Sequence, residues 1–100
     1  MKKGIIVGKE QRSYTAKDGT EKVARTLHVV WDKPETQEEG AQGHKVEAVF
    51  VSKLSIDNIH VGDYCGFEYD VMPGRNGLMA VLSDIKVLGK APFNVQYPKL

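Results

Sequence analysis

The sequence has few of the features that build covalent, metal-bound or membrane-embedded proteins. Cys65 is the only cysteine, which excludes an intrachain disulfide and a zinc site built on cysteines. No stretch approaches the apolar length of a membrane span. The apolar run near the basic start breaks after a few residues, so a signal peptide is not expected. A reducing cytoplasm is the expected location.

The motifs of the common catalytic sites are also missing. There is no Gly-x-Ser-x-Gly, no glycine-rich phosphate loop and no pair of carboxylates beside a histidine. The three histidines, His28, His44 and His60, lie sixteen residues apart, a spacing with no local metal-ligand meaning. We therefore predict a protein that is not an enzyme and that uses no cofactor and no metal.

Neither sign of charge dominates, since the formal net charge is +1. The distribution of charge is uneven, however. The first 31 residues carry seven basic and three acidic groups, a net charge of +4, whereas residues 57–70 carry four acidic groups and no lysine or arginine. Because the local patch decides whether a polyanion binds, we expect one end of the molecule to be positive and another negative.

What the sequence has in quantity is valine, which supplies twelve of its 23 valine, isoleucine and leucine residues. β-Branched residues favour strands, and no window shows a sustained helical period. One hundred residues are enough for one domain with a small core. We predict an all-β domain over residues 1–90 and a C-terminal tail over 91–100.

Turn signals divide the chain into strand-like runs. Five runs are predicted: Lys3–Tyr14, Lys22–Asp32, His44–Ser52, a fourth that starts after Val61-Gly62-Asp63, and Leu78–Leu88. Asp18-Gly19 predicts a hairpin between the first two runs, and 73–77 predicts the loop of a last hairpin. Residues 33–43 are predicted to be a solvated acidic loop, and 53–60 either a short helical turn or an irregular link. This order is that of a five-stranded OB-fold barrel with an extended first hairpin, although five short strands also fit an SH3-like barrel.

Alternation assigns the faces of these strands. Trp31 has the parity of Leu27 and Val29, which predicts that it lies in the core. Cys65 shares a face with Phe67, which predicts an inert buried thiol. The last run is apolar on both faces. The face with Met79, Val81, Ile85 and Val87 would close the barrel, and the other carries Leu78, Ala80 and Leu82.

An exposed face of this kind is a poor solvent surface. We therefore predict a homodimer through strand five, at Leu78, Ala80 and Leu82. The alternative is that the tail covers this face within one chain, through Phe93, Val95 and Tyr97.

Basic residues concentrate around the first hairpin. Binding a single strand without a sequence code requires a positive groove for phosphates and flat side chains on which bases stack. The candidate cations are Arg12, Lys17, Lys22 and Arg25. Tyr14, which has the parity of Arg12, is the candidate for stacking, and the outward parity of His28 would let it contact a base or a phosphate. The same pattern also fits a solvated hairpin whose tyrosine caps the barrel.

Several segments have an order and spacing that occur together in a known family. They are Arg12–Lys22, Gly62-Asp63-Tyr64, the glycine-bounded loop before Leu78-Met79, and Asp84-Ile85-Lys86-Val87. Over about residues 5–88 the chain resembles the filamentous-phage single-stranded DNA-binding protein of the gene V type. The resemblance implies an OB-fold homodimer that dimerises through its last hairpin and binds DNA with its first. It implies contacts at Arg12, Lys17 and Lys22, and a cation, Arg75, where the family has an aromatic residue at the tip of the last hairpin.

The sequence thus predicts a protein that coats single-stranded replication intermediates of a phage or mobile element in the cytoplasm of a bacterial host. The predicted contacts are Arg12, Tyr14, Lys17, Lys22, Arg25, His28 and Arg75. The same surface would permit RNA binding by a translational repressor. A protein-interaction or scaffold module with a small barrel fold is the alternative from a different class, supported by the near-neutral charge and the acidic loop.

Overall fold

The fold is one open sheet of five antiparallel strands in the order β3-β2-β1-β4-β5. The computed structural model describes residues 1–32, 40, 43–51, 54–91 and 95–99. The strands are β1 (Lys2–Thr15), β2 (Glu21–Trp31), β3 (Val46–Val51), β4 (Asp63–Gly74) and β5 (Gly77–Lys90). The all-β class is therefore confirmed. In the described residues, β3 and β5 are the two edges of the sheet.

The pairing of β1 sets the shape of the molecule. β1 pairs with β2 from Gly4 to Thr15, but it pairs with β4 only from Lys2 to Ile5. Because β1 and β4 run antiparallel, the β1–β2 hairpin continues past one end of this short pairing and the β4–β5 hairpin past the other. The two hairpin tips consequently lie at opposite ends of the sheet, in a molecule whose greatest extent is 47 Å.

The core lies on one face of the sheet, around Trp31 and Phe67. Their rings meet edge to face with centroids 5.2 Å apart, a favoured aromatic geometry. The remaining buried apolar side chains are Ile6, Leu27, Val29, Val49, Val51, Ile56, Ile59 and Cys65. The core assignments of Trp31, of its neighbours in β2, and of Cys65 and Phe67 in β4 are confirmed.

The indole N–H of Trp31 is satisfied by Glu47, whose carboxylate accepts it at 2.8 Å. Lys2 extends from the neighbouring strand, with its Nζ 4.2 Å from the centroid of the Trp31 ring and 3.7 Å from Glu47. A buried indole needs such a partner, so Trp31 is held as a structural residue.

The link before β4 contains no helix over its described residues, 54–62. Of the two alternatives for this segment, the irregular link is the one observed. Ile56 and Ile59 are buried against the sheet, and the amide of Ile59 donates to the carbonyl of Ile56 at 3.0 Å. Asp63 ends the link, because its carboxylate accepts the amide N–H of His60 at 2.8 Å.

A β-bulge in β5 overturns the predicted faces of this strand. Glu68 pairs with Asp84, but the next residue of β4, Tyr69, pairs with Leu82, so Ser83 is an extra residue. An extra residue reverses the parity of the strand beyond it. Leu78, Ala80 and Leu82 therefore share the face of the core, and Leu82 packs against the core cluster together with Ile85. The prediction that these three residues form the face opposite Ile85 is wrong.

Two predicted segments fall largely or partly outside the described residues. Within the predicted acidic loop 33–43, the structure describes only Gly40 and Gly43. In the tail, Val95 and Tyr97 are exposed, while Phe93 lies outside the described residues. No helix in the described part of the chain is long and apolar enough to cross a membrane.

Candidate nucleic-acid interface

The β1–β2 hairpin is closed by a turn that its sequence specifies. The amide of Gly19 donates to the carbonyl of Ala16 at 2.9 Å, and the amide of Ala16 donates to the carbonyl of Thr20 at 2.8 Å. Gly19 has a φ of +84°, which favours glycine. The Asp18 carboxylate accepts the amide N–H of Thr20 at 3.0 Å, and this hydrogen bond lowers the pKa of Asp18. The hairpin predicted from Asp18-Gly19 is confirmed.

Cross-strand pairing places most of the predicted contacts on the face of the sheet away from the core, here called the outer face. Tyr14 lies opposite Lys22, and Arg12 lies opposite Ala24. Cross-strand partners project to the same side, as do residues two apart along a strand. The outer face over β1, β2 and β3 includes Gly8, Glu10, Arg12, Tyr14, Lys22, Ala24, Thr26, His28, Ala48 and Phe50, and continues through Ile5, Val30 and Val46.

Phe50 is the residue of this face that sequence reasoning missed. Its side chain is 76% exposed. Val49 and Val51 on either side are buried in the core, so the alternation of β3 forces Phe50 outward. The same alternation, applied to the third strand-like run, would have found it. Phe50 and Tyr14, which is 48% exposed, give the outer face two flat apolar side chains.

A surface pocket of about 600 Å³ lies between these two aromatic rings. Tyr14 and Phe50 line it, and Ala24, the small residue between them, leaves the space open. β3 ends at Val51, opposite Arg25. In the described residues the edge of β2 beyond that point is uncovered, so the pocket reaches around it to Lys22, Val23 and Arg25.

The cations of the hairpin are available to a ligand. No carboxylate among the described residues forms an ion pair with Arg12, Lys22 or Arg25. Lys9, by contrast, donates from its Nζ to the carbonyl of Ile59 at 3.0 Å, so part of its role is structural. Lys17 is exposed in the turn at the tip of the same hairpin.

His28 lies on the outer face next to Glu10, with its Nε2 3.0 Å from a carboxylate oxygen of Glu10. The ring packs over Gly8, where an added Cβ would lie 3.0 Å from His28 Cδ2. A strand glycine often marks such a close approach. His28 therefore lies on the outer face, as its alternation in β2 predicted, and the Glu10 carboxylate lies next to it on the same face.

The predicted residues thus fall into two groups. Arg12, Tyr14, Lys22 and His28 share the outer face, Arg25 joins them at the pocket, and Lys17 lies at the tip of their hairpin. Arg75 lies in the turn between β4 and β5, at the opposite end of the sheet, and within one chain it does not join the others.

Tyr64 has a structural role on β4. Its hydroxyl donates to the Asp32 carboxylate at 2.6 Å, and this hydrogen bond to Asp32 raises the pKa of Tyr64. No group of three potential metal-ligating side chains occurs in the part of the chain that the structure describes.

Comparison with known protein families, with curated proteins and with solved structures finds no match for this chain. A functional assignment must therefore come from the residues of the outer face. Two exposed rings flank a pocket with unpaired cations at its rim. Such a surface can stack flat rings and attract phosphate groups at the same time.

Proposed function

We propose that the protein binds single-stranded DNA with little sequence preference, using the outer face of β1, β2 and β3. The observation that carries the proposal is the pair of exposed rings, Tyr14 and Phe50, on one face with the cations Arg12 and Lys22. Bases stack on such rings whatever their identity. The cations attract the phosphate groups that link the stacked bases.

The strand order supports an OB-fold interpretation of the sheet. In OB-folds the face of strands two and three, with the loop between strands one and two, binds oligonucleotides. Tyr14, Lys22 and Phe50 lie in that region here. The resemblance to the gene V type adds coating of replication intermediates in a bacterial cytoplasm and a homodimer as further parts of the proposal.

The test is a titration of a fluorescently labelled oligo-dT with the full chain at increasing salt. We expect binding that weakens steadily with salt, because phosphates neutralised by Arg12, Lys17, Lys22 and Arg25 release counterions. A duplex of equal length is the control, and it should bind more weakly because its bases are not free to stack. Equal binding of the duplex, or binding that salt does not change, would contradict the proposal.

The same assay decides between nucleic-acid classes. Oligo-U binding more tightly than oligo-dU of equal length would favour RNA, the ligand of a translational repressor. A chain that binds no oligonucleotide would favour the protein-interaction alternative. The observation that supports this alternative is the β4–β5 hairpin, where Val71 and Leu78 expose apolar surface.

A further inference from the structure

We propose that Glu10 is a base-reading residue: its carboxylate, positioned by His28, accepts a hydrogen bond from the amino group of a base stacked on Phe50. The protein would then prefer cytosine to uracil within an otherwise permissive interface. This inference rests on the proposed function, which it refines by naming the base that one position of the site favours.

The first argument is the position of Glu10 in the sheet. Glu10 lies opposite Thr26, and Thr26 lies opposite Phe50, so the three residues form one row across the outer face. Neighbouring strands are about 4.8 Å apart, which places Glu10 about 10 Å from Phe50. Thr26, between them, is small. A base stacked on the Phe50 ring and extending over Thr26 would therefore present its edge to Glu10.

The second argument is that the carboxylate is oriented. One of its oxygens, Oε1, lies 3.0 Å from His28 Nε2, and the His28 ring is itself seated over Gly8. The other oxygen has no partner among the described residues, and the Glu10 side chain is 58% exposed. One oxygen is thus held while the other is free to accept a hydrogen bond from a ligand.

The third argument is chemical. An ionised carboxylate can only accept hydrogen bonds, and glutamate paired with the N4 amino group of cytosine is a recurring base contact. Uracil presents a carbonyl oxygen at the same position, which a carboxylate repels. A negative charge on a face that binds phosphates weakens binding at that point. A contact with a base edge gives the charge a favourable role there.

The test compares oligo-dC with oligo-dU of equal length at mildly alkaline pH, where cytosine is neutral. The two carry the same phosphate charge, and their bases differ at the amino or carbonyl group that Glu10 would meet. We expect the wild-type chain to bind oligo-dC about 3- to 10-fold more tightly, the range of a net hydrogen bond. Equal affinities would overturn the inference, although the proposed function would stand.

Glu10→Ala is the decisive variant. We expect it to bind both oligonucleotides, with the ratio of their affinities reduced to about one. The matched control is Glu21→Ala, which removes a negative charge from the same hairpin on the opposite face and should leave the ratio unchanged. His28→Ala should also reduce the ratio, because it releases the carboxylate.

Besides equal affinities of the wild-type chain, two further outcomes would overturn the assignment. If Glu10→Ala tightens binding of both oligonucleotides equally and the ratio persists, Glu10 only repels phosphate. If neither oligonucleotide binds the wild-type chain at low salt, the proposed function fails and this inference fails with it. The second outcome is distinguishable from the first because it removes binding altogether.

Discussion

Tyr14 and Phe50 reach the outer face from different strands, and neither contributes to the buried core. Substitution of either residue should therefore affect binding far more than folding. We expect Tyr14→Ala and Phe50→Ala each to weaken oligo-dT binding by about 1–3 kcal/mol, the value of one stacked base. Fluorescence titration of the folded variants measures this.

The matched control for these variants is Tyr97→Ala. Tyr97 is the most exposed aromatic residue among the described side chains, at 86%, but it lies in the C-terminal tail. The Tyr97→Ala variant should bind oligo-dT with the affinity of the wild-type chain. Wild-type affinity in both Tyr14→Ala and Phe50→Ala would show that bases do not stack at the pocket.

Cys65 gives a prediction for pH. Burial, and to a smaller extent the negative charge of Asp63, raise the pKa of its thiol to about 11, from an ordinary value of 9.0. In the unfolded chain the thiol ionises near its ordinary pKa, whereas in the folded chain it stays protonated. The unfolded state then binds fewer protons, so the free energy of unfolding should fall as the pH rises from about 9 towards 11.

Tyrosines and lysines titrate in the same pH range, so the comparison needs a variant without the thiol. Cys65→Ala should be less stable at neutral pH because a buried side chain is shortened. The difference in free energy of unfolding between the wild type and Cys65→Ala, measured by urea denaturation, should narrow as the pH rises. A difference that stays constant would show that the thiol does not contribute to the pH dependence of stability.

Gly4 lies where the central strand β1 packs closely against its neighbours. It lies between Trp31 on β2 and Cys65 on β4, and an added Cβ would lie 2.4 Å from Val29 Cγ1 and 2.8 Å from the carbonyl oxygen of Val30. We expect Gly4→Ala to reduce the free energy of unfolding by about 1–3 kcal/mol, because overpacking shifts the backbone.

Gly89→Ala is the control for Gly4, since no atom lies within 4 Å of a Cβ added at Gly89. It should change the free energy of unfolding by less than about 0.5 kcal/mol. Chemical denaturation of both variants measures the difference. Equal effects would show that β1 can shift away from β2 without cost.

At the scale of strands, local signals predicted the hairpins well and the register poorly. Asp18-Gly19 and the two glycines around Arg75 mark turns by their chemistry. Alternation in β2 identified the core face because β2 has no extra residue of its own: the register shift in its pairing with β1 falls at Val7 of β1, and its pairing with β3 is regular. Alternation failed in β5, because counting in twos assumes no extra residue and nothing in the sequence marks Ser83 as one. The offset between β1 and β4 depends on tertiary packing, so the sequence did not reveal that Arg75 lies far from the first hairpin.

Over the whole molecule, the two hairpins differ in surface chemistry. The β1–β2 hairpin carries the cations, whereas the distal β4–β5 hairpin exposes apolar side chains on both faces. Val71 and Leu78 are exposed on one face, and Met72 and Met79 on the other. A two-stranded ribbon of this kind is marginally stable by itself in water. Its exposed apolar surface supports the proposal of a homodimer through this hairpin.

The bulge at Ser83 changes which residue of β5 can test the proposed dimer. Leu82 packs against the core, so replacing it with lysine would damage the fold as well as any interface. Leu78 is 78% exposed, and Leu78→Lys should leave the free energy of unfolding of the monomer nearly unchanged. We expect sedimentation equilibrium to show a dimer for the wild-type chain and a monomer for Leu78→Lys.

The monomeric variant should also bind long oligonucleotides more weakly than the wild-type dimer, because two linked outer faces raise the effective concentration of the second site. Binding of an oligonucleotide that fills only one site should be unchanged. Val46→Lys is the control for the oligomeric state. Val46 is also exposed but lies on the edge strand β3, so this variant should remain dimeric. A wild-type chain that stays monomeric, or a Leu78→Lys chain that stays dimeric, would show that the β4–β5 hairpin is not the interface.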